Sequence, residues 1–185
     1  MPSLSQHKEL EQPFGLLIQM LRNNLIASEQ IAVPLNDEIA LVKNFIQLEM
    51  LGNRRKIDVE WQIADDVPAD VLIPSMSIQI PVENAVKYAF NSNSDDARIN
   101  ISINQQTDTL SVVIDDNGVG YHPGAGAFSE RGTGSGLKML HRTVELLNIR
   151  NNNKMTFAIE NKTTTGNGNG TRTTLIAPLE YYYSL

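Results

Sequence analysis

Three short stretches of this chain carry side chains that can do chemistry together. In PVENAVKYAF, Glu83 and Lys87 stand four residues apart and Asn84 and Lys87 three apart, so on a helix all three project from neighbouring parts of one surface. The amide oxygen of Asn84 is a hard ligand suited to Mg²⁺, and Lys87 can meet a phosphate that the metal bridges. A solvated Glu–Lys pair fits the same spacing. In Asp115-Asp116-Asn117-Gly118-Val119-Gly120, the glycines let the backbone turn sharply and approach a flat ligand, while a carboxylate can accept a hydrogen bond from an adenine amino group. An ordinary DNG turn looks similar, whereas the alternating ligands and closing Glu of a calcium loop are missing. In Arg131-Gly132-Thr133-Gly134-Ser135-Gly136-Leu137, glycines run into a helix whose first amides point at anions and leave room for phosphate oxygens. This stretch has no Gly-Lys-Ser/Thr ending of a Walker loop, and it does not follow a strand directly as a dinucleotide fingerprint does.

The elements that must position these residues are readable from period. Apolar residues at Leu17, Ile18, Leu21, Leu25 and Ile26 predict an amphipathic helix over residues 14–27. Pro34 breaks the chain, and Asn36 can cap a second helix to about Leu51. Beyond Gly52 the period changes to two, with Ile57, Val59, Trp61 and Ile63 on one face of a strand. Residues 75–90 read as a helix that either starts nearer Pro81 or kinks there. Residues 98–104 and 110–114 fit a hairpin turned by QQTDT, followed by a mobile glycine-rich loop over 121–136 and a helix from Leu137. Two last strands, 155–160 and 171–177, are joined by KTTTGNGNG, which reads as a flexible linker. Hairpins with interspersed helices predict an α+β fold, with a mixed or antiparallel sheet and helices layered on one face.

Composition narrows the function classes. With 41% apolar and 19% charged residues among 185, a packed globular domain is expected. The net charge of -6 offers no positive field for a nucleic-acid backbone, so a bound phosphate must be held by local amides, a metal or a few side chains. The absence of cysteine removes disulfides, thiolate metal sites and thiol nucleophiles. No stretch reaches the roughly 20 apolar residues of a membrane helix, and MPSLSQHKEL lacks the parts of a signal peptide.

In order and spacing, PVENAVKY, DNGVG and GTGSGLKML resemble the N, G1 and G2 boxes of the Bergerat-type ATPase fold shared by histidine kinases, DNA gyrase, Hsp90 and MutL. PLNDEIALVKNFIQLEMLGNRRK and IPSMSIQIPVENAVKYAF are similar to the LytS-type sensor kinases within that superfamily, and the resemblance covers roughly residues 14–179. It implies ATP and Mg²⁺ as ligands. Glu83 would be the acidic residue of the N box, Asn84 the Mg²⁺ ligand and Lys87 a phosphate contact, with Glu83 and Lys87 the catalytic pair. Asp116 would bind the adenine amino group beside Gly118 and Gly120. Gly132, Thr133, Gly134, Ser135, Gly136 and Leu137 would form the phosphate end of the lid, and the Gly170-Thr171 pair resembles the GT before the family's last strand, where the threonine helps bind around adenine.

Tyr88 stands where many of these kinases carry His, so one polar contact near the phosphates would be weakened or replaced by the phenol. No Asn-Pro-His-Phe acceptor sequence precedes residues 14–27, and His7 sits in an imperfect H-E-L-x-x-P box, so the acceptor histidine is expected outside this chain. The resemblance implies a helical arm over residues 1–52, a remnant of the dimerisation and phosphoacceptor region, followed by an ATP-binding catalytic domain over 53–185. It also implies a homodimer through the arm, a response regulator receiver domain as partner, and a cytoplasmic region of a parent anchored in the inner membrane. Two other readings are a non-catalytic nucleotide-binding sensor or dimerisation module, and an ATPase of the gyrase or Hsp90 type, which usually has a longer lid.

Overall fold

The computed structural model describes residues 30–52, 56–90, 96–120 and 135–184. The helix expected over 14–27, and the loop residues from 121 to 134, lie outside these. In chain order the elements are β1 (Ala32–Pro34), α1 (Leu35–Gly52), β2 (Ile57–Ile63), β3 (Leu72–Pro74), α2 (Gln79–Asn84), a π-helical turn (Ala85–Ala89), β4 (Ala97–Gln106), β5 (Thr109–Asp116), α3 (Ser135–Ile149), β6 (Thr156–Asn161), α4 (Lys162–Thr165) and β7 (Thr171–Pro178).

Side-chain alternation builds the main sheet. Ile99, Ile101 and Ile103 of β4 and Leu110, Val112 and Ile114 of β5 are buried, while the residues between them are polar or only partly covered. Five strands pair in the order β2-β4-β5-β7-β6, with β2 and β4 parallel and the other pairs antiparallel. The apolar face is covered by Ile39, Val42, Phe45 and Ile46 of α1, Val82 of α2, Val86 of the π turn, and Leu140 and Val144 of α3, which form one core with the strand residues. The mixed sheet with helices on one face is the α+β arrangement that the sequence predicts. None of the described helices is long and apolar enough to cross a membrane.

Four local differences have physical reasons. The hairpin strands run on to Gln106 and Thr109, leaving Thr107 and Asp108 as the turn, because ladder bonds do not depend on whether the glutamines are polar. Helix α1 begins one residue before Asn36, and its first amides are taken by the carbonyls of Val71 and Ala69 at 2.8 and 3.0 Å. The KTTTGNGNG segment is not wholly linker: Asn161 Oδ1 accepts the Thr163 N–H and Gly166 closes the turn at φ 77°, which suffices for α4. The two-stranded sheet of β1 and β3 has no signature in the sequence, since three-residue strands are too short to show alternation.

Candidate functional site

The end of β5 places two adjacent carboxylates on opposite faces of the sheet. Asp115 points to the open face, where Arg172 Nε and Nη2 donate to it at 3.0 and 2.8 Å and Lys162 Nζ lies at 3.4 Å. Asp116 points inward and is 6% exposed. Its Oδ1 accepts the N–H of Gly118 at 2.8 Å and of Thr171 at 3.1 Å. Burial pushes the Asp116 carboxyl above its ordinary range, opposed by those two N–H donors, the Thr171 hydroxyl and the charge of Lys162. Asn117 fastens the turn to β4, its Oδ1 accepting the Arg98 N–H at 2.8 Å and its Nδ2 donating to the Asp96 carbonyl at 2.6 Å.

Glycine is required where backbone meets backbone here. At Gly170, φ is 102° and a Cβ would stand 2.0 Å from the Asp116 carbonyl oxygen, so β7 approaches β5 closely only at a residue without a side chain. Gly118 is pressed in the same way against Ala89, whose carbonyl oxygen would lie 2.2 Å from a Cβ.

The second part of the site is the helix that carries the N-box residues. Residues 75–78 form turns rather than helix, and α2 begins at Gln79, two residues before Pro81. Proline is tolerated there because the amides of a first helical turn lack intrahelical partners. After Asn84 the backbone widens into the π turn, a feature frequent at functional sites. Lys87 Nζ donates to Glu83 Oε2 at 2.8 Å, and Gln79 Nε2 donates to Glu83 Oε1 at 2.7 Å. Asn84 is half-buried and its amide makes no hydrogen bond to another described residue, which leaves a hard oxygen ligand unengaged. Tyr88 is 43% exposed on the same turn.

Behind this helix lies Glu38, which sequence reading passed over. Its carboxylate, 1% exposed, accepts the N–H groups of Met76, Ile78 and Gln79, each at 3.1 Å. Burial raises its pKa and those three donors oppose the rise. Met76 holds a left-handed φ of 64°, which costs about 1–2 kcal/mol for a residue with a Cβ, and its N–H bond to Glu38 helps to keep it there.

The N-box helix is where the three motifs meet. Val119 N–H donates to the Ala89 carbonyl at 2.9 Å, joining the DNG turn to the end of the π turn. A Cβ on Gly136 would meet Ile80 Cγ2 at 3.1 Å, so the first turn of α3 rests on α2. Gly120 lies against the Asn161 side chain, and Thr171 is bonded to Asp116 through its N–H. Leu137 packs against the core. Of the expected lid residues, Gly132, Thr133 and Gly134 lie outside the described ones, and Ser135 is placed only as the first residue of α3.

Residues 76–181 match the family described as histidine kinase-, DNA gyrase B-, and HSP90-like ATPase. The sensor protein LytS of Staphylococcus epidermidis is 33% identical over 104 residues, covering 56% of this chain and 17% of that protein. The sensor histidine kinase/phosphatase LytS of Staphylococcus aureus is 32% identical over 133 residues, covering 68% and 23%. The chain thus spans less than a quarter of the length of these relatives. The histidine kinase domain of the Erythrobacter litoralis EL346 blue-light activated histidine kinase superposes with a TM-score of 0.54 at 18% identity, covering 92% of this chain and 75% of that one, a likeness of fold. The fold is therefore the Bergerat type, and the chain belongs to the histidine kinase-, DNA gyrase B- and HSP90-like ATPase family.

Proposed function

We propose that this chain is the catalytic region of a two-component sensor histidine kinase, which holds ATP·Mg²⁺ and presents its γ-phosphate to a histidine on a helical dimerisation region. The observation that carries the reading is the convergence of the DNG turn and the start of α3 on one helix, through Ala89 and Ile80. Asp116 receives the adenine amino group at the closed end of the site, framed by Gly118, Gly120 and Thr171. At the other end, Asn84 offers its amide oxygen to the metal, and Lys87 turns from Glu83 to a phosphate. Bound Mg²⁺, held by Asn84, would supply neutralisation of the phosphate charge. The glycine-rich residues 132–137 would supply further amides to the phosphates, and Tyr88 a further polar contact. Phosphoryl transfer depends mainly on positioning and charge, and these residues supply both.

In this reading residues 1–52 form the arm of a dimer, with α1 packed against the sheet of the catalytic domain over residues 53–185. The phosphorylated histidine passes its phosphate to a response regulator receiver domain, and the parent protein is anchored in the membrane with this region on the cytoplasmic side.

Calorimetric titration with ATP and ADP, with and without Mg²⁺, tests the reading. Binding is expected for both nucleotides, and Asn84→Ala is expected to weaken ATP in Mg²⁺ by about tenfold while leaving metal-free ADP unchanged. No heat at millimolar ATP would refute nucleotide binding, and equal losses with and without Mg²⁺ would make Asn84 a structural helix residue.

A further inference from the structure

We propose that Gln79 is a positioning residue for Glu83: its buried amide holds one carboxylate oxygen while Lys87 holds the other, fixing the carboxylate beside Asn84. The inference rests on the N-box reading of Glu83 and Lys87 and adds a residue to it.

Gln79, Glu83 and Lys87 follow one another at intervals of four, so their side chains meet in sequence along one helix face. The two bonds to Glu83 differ in kind. Lys87 reaches Oε2 from a side chain that is 47% exposed, with a long flexible stem and a strongly hydrated ammonium. Gln79 reaches Oε1 from a residue that is 0% exposed. Its backbone is fixed as well, because its N–H is one of the three that Glu38 accepts.

Burying a glutamine side chain costs desolvation of its amide, which an apolar residue of similar length avoids. What Gln79 contributes in return is a fixed N–H donor. The terminal torsion of a glutamate is broad, so a carboxylate held at one oxygen alone swings. A Lys87 ammonium shared between Glu83 and a phosphate holds the carboxylate less firmly than one that serves Glu83 alone. When it turns to the nucleotide, the Gln79 bond is the one that keeps the carboxylate plane in place.

The test supplies this chain with a helical dimerisation region that carries the acceptor histidine, and compares Gln79→Met, Glu83→Gln and the double variant. Methionine keeps the length and fills the buried space without a donor. ATP·Mg²⁺ affinity is measured by calorimetry, and the phosphoryl-transfer rate from γ-labelled ATP at saturation. Gln79→Met is expected to slow transfer by about tenfold or more while changing affinity by less than about threefold. In the Glu83→Gln background the same change should alter the rate by less than about twofold, since the carboxylate that Gln79 positions has already been replaced by a neutral amide. An undiminished effect on that background, or equal losses of affinity and rate, would overturn the inference alone. An unchanged rate in Glu83→Gln by itself would bring down the site reading and the inference together.

Should Gln79→Met not fold, the wild-type side-chain amide reports instead. Its ¹⁵N resonances are expected to be protected from exchange, to shift in Glu83→Gln, and to stay in place when a non-hydrolysable ATP analogue is added with Mg²⁺. A Gln79 resonance indifferent to Glu83→Gln, or one released by the analogue, would overturn the proposal.

Discussion

The two ends of the site are held by different means. At the strand end, Asp116 sits in a five-stranded ladder, its carboxylate bonded to the backbone amides of Gly118 and Thr171, and glycines allow the chains to touch. At the helix end, Glu83 is held by two side chains on its own helix, and the turn leading into that helix is tied by Glu38 from another element. Backbone contacts inside a sheet leave few alternative arrangements. Side-chain contacts on a short helix with a π turn can exchange partners when a ligand arrives, which suits the end proposed to meet phosphates.

If that contrast is right, the strand end tolerates the least change. Gly170→Ala forces a Cβ against the Asp116 carbonyl at a φ of 102°, with strain and overpacking together. A loss of roughly 3 kcal/mol is expected, which for a domain of this size lowers the melting temperature by about 10 °C. Nucleotide binding should vanish with it, because the movement displaces Thr171 and Asp116 together. A melting point within about 2 °C of wild type would show that the strand end yields after all.

The next effect is at Glu38. Glu38→Ala leaves three buried backbone donors without their acceptor and is expected to cost about 2–3 kcal/mol in urea unfolding. Glu38→Gln retains one acceptor oxygen, so it should cost less, and it gives the contrast in pH. The folded pKa of Glu38 is raised above the ordinary 4.5, so between 4.5 and the raised value the folded state binds more protons than the unfolded one. Its stabilising share is therefore full below 4.5 and is lost as pH rises through the folded value. The advantage of wild type over Glu38→Gln should narrow across that window, and a difference that is constant with pH would contradict the assignment.

The same contrast explains what could be read before folding. The strand end was legible because period two separates neighbours: the alternation through Leu110, Val112 and Ile114 puts Asp116 on the apolar face and Asp115 on the other. The helix end was legible only in type. Its Glu, Asn and Lys stand at helical spacing, but nothing in a local pattern announces that the turn at Met76 is held by a carboxylate some forty positions earlier, or that the backbone widens after Asn84. Gln79 had a signal, the i,i+4 step to Glu83, that was not used. Asn161 and Lys162 were hidden by the polar repeat around them, which reads as linker until a side-chain cap and Gly166 are seen to close it. The extension of β4 through Gln105 and Gln106 and the two short strands had no signal at all.

The smallest expected effects sharpen the comparison most, because they separate two adjacent carboxylates. Asp116→Asn places an amide where a buried carboxylate accepts two N–H groups and, in the proposed complex, the adenine amino group. A mispaired buried donor of this kind costs about 1–3 kcal/mol, so ATP affinity should fall by roughly 5- to 150-fold, with less selectivity over GTP. Arg172→Ala removes the main partner of Asp115 one residue away. That pair lies on the open face, with the arginine side chain 42% exposed, and Lys162 remains nearby to meet the charge. Solvent screening and side-chain entropy hold such pairs below about 1 kcal/mol, so urea unfolding should move little and ATP affinity should stay within about twofold. A loss of nucleotide binding in Arg172→Ala as large as in Asp116→Asn would mean that the open-face pair, rather than the buried hydrogen bonds, sets the pocket, and the division between the two faces of β5 would have to be given up.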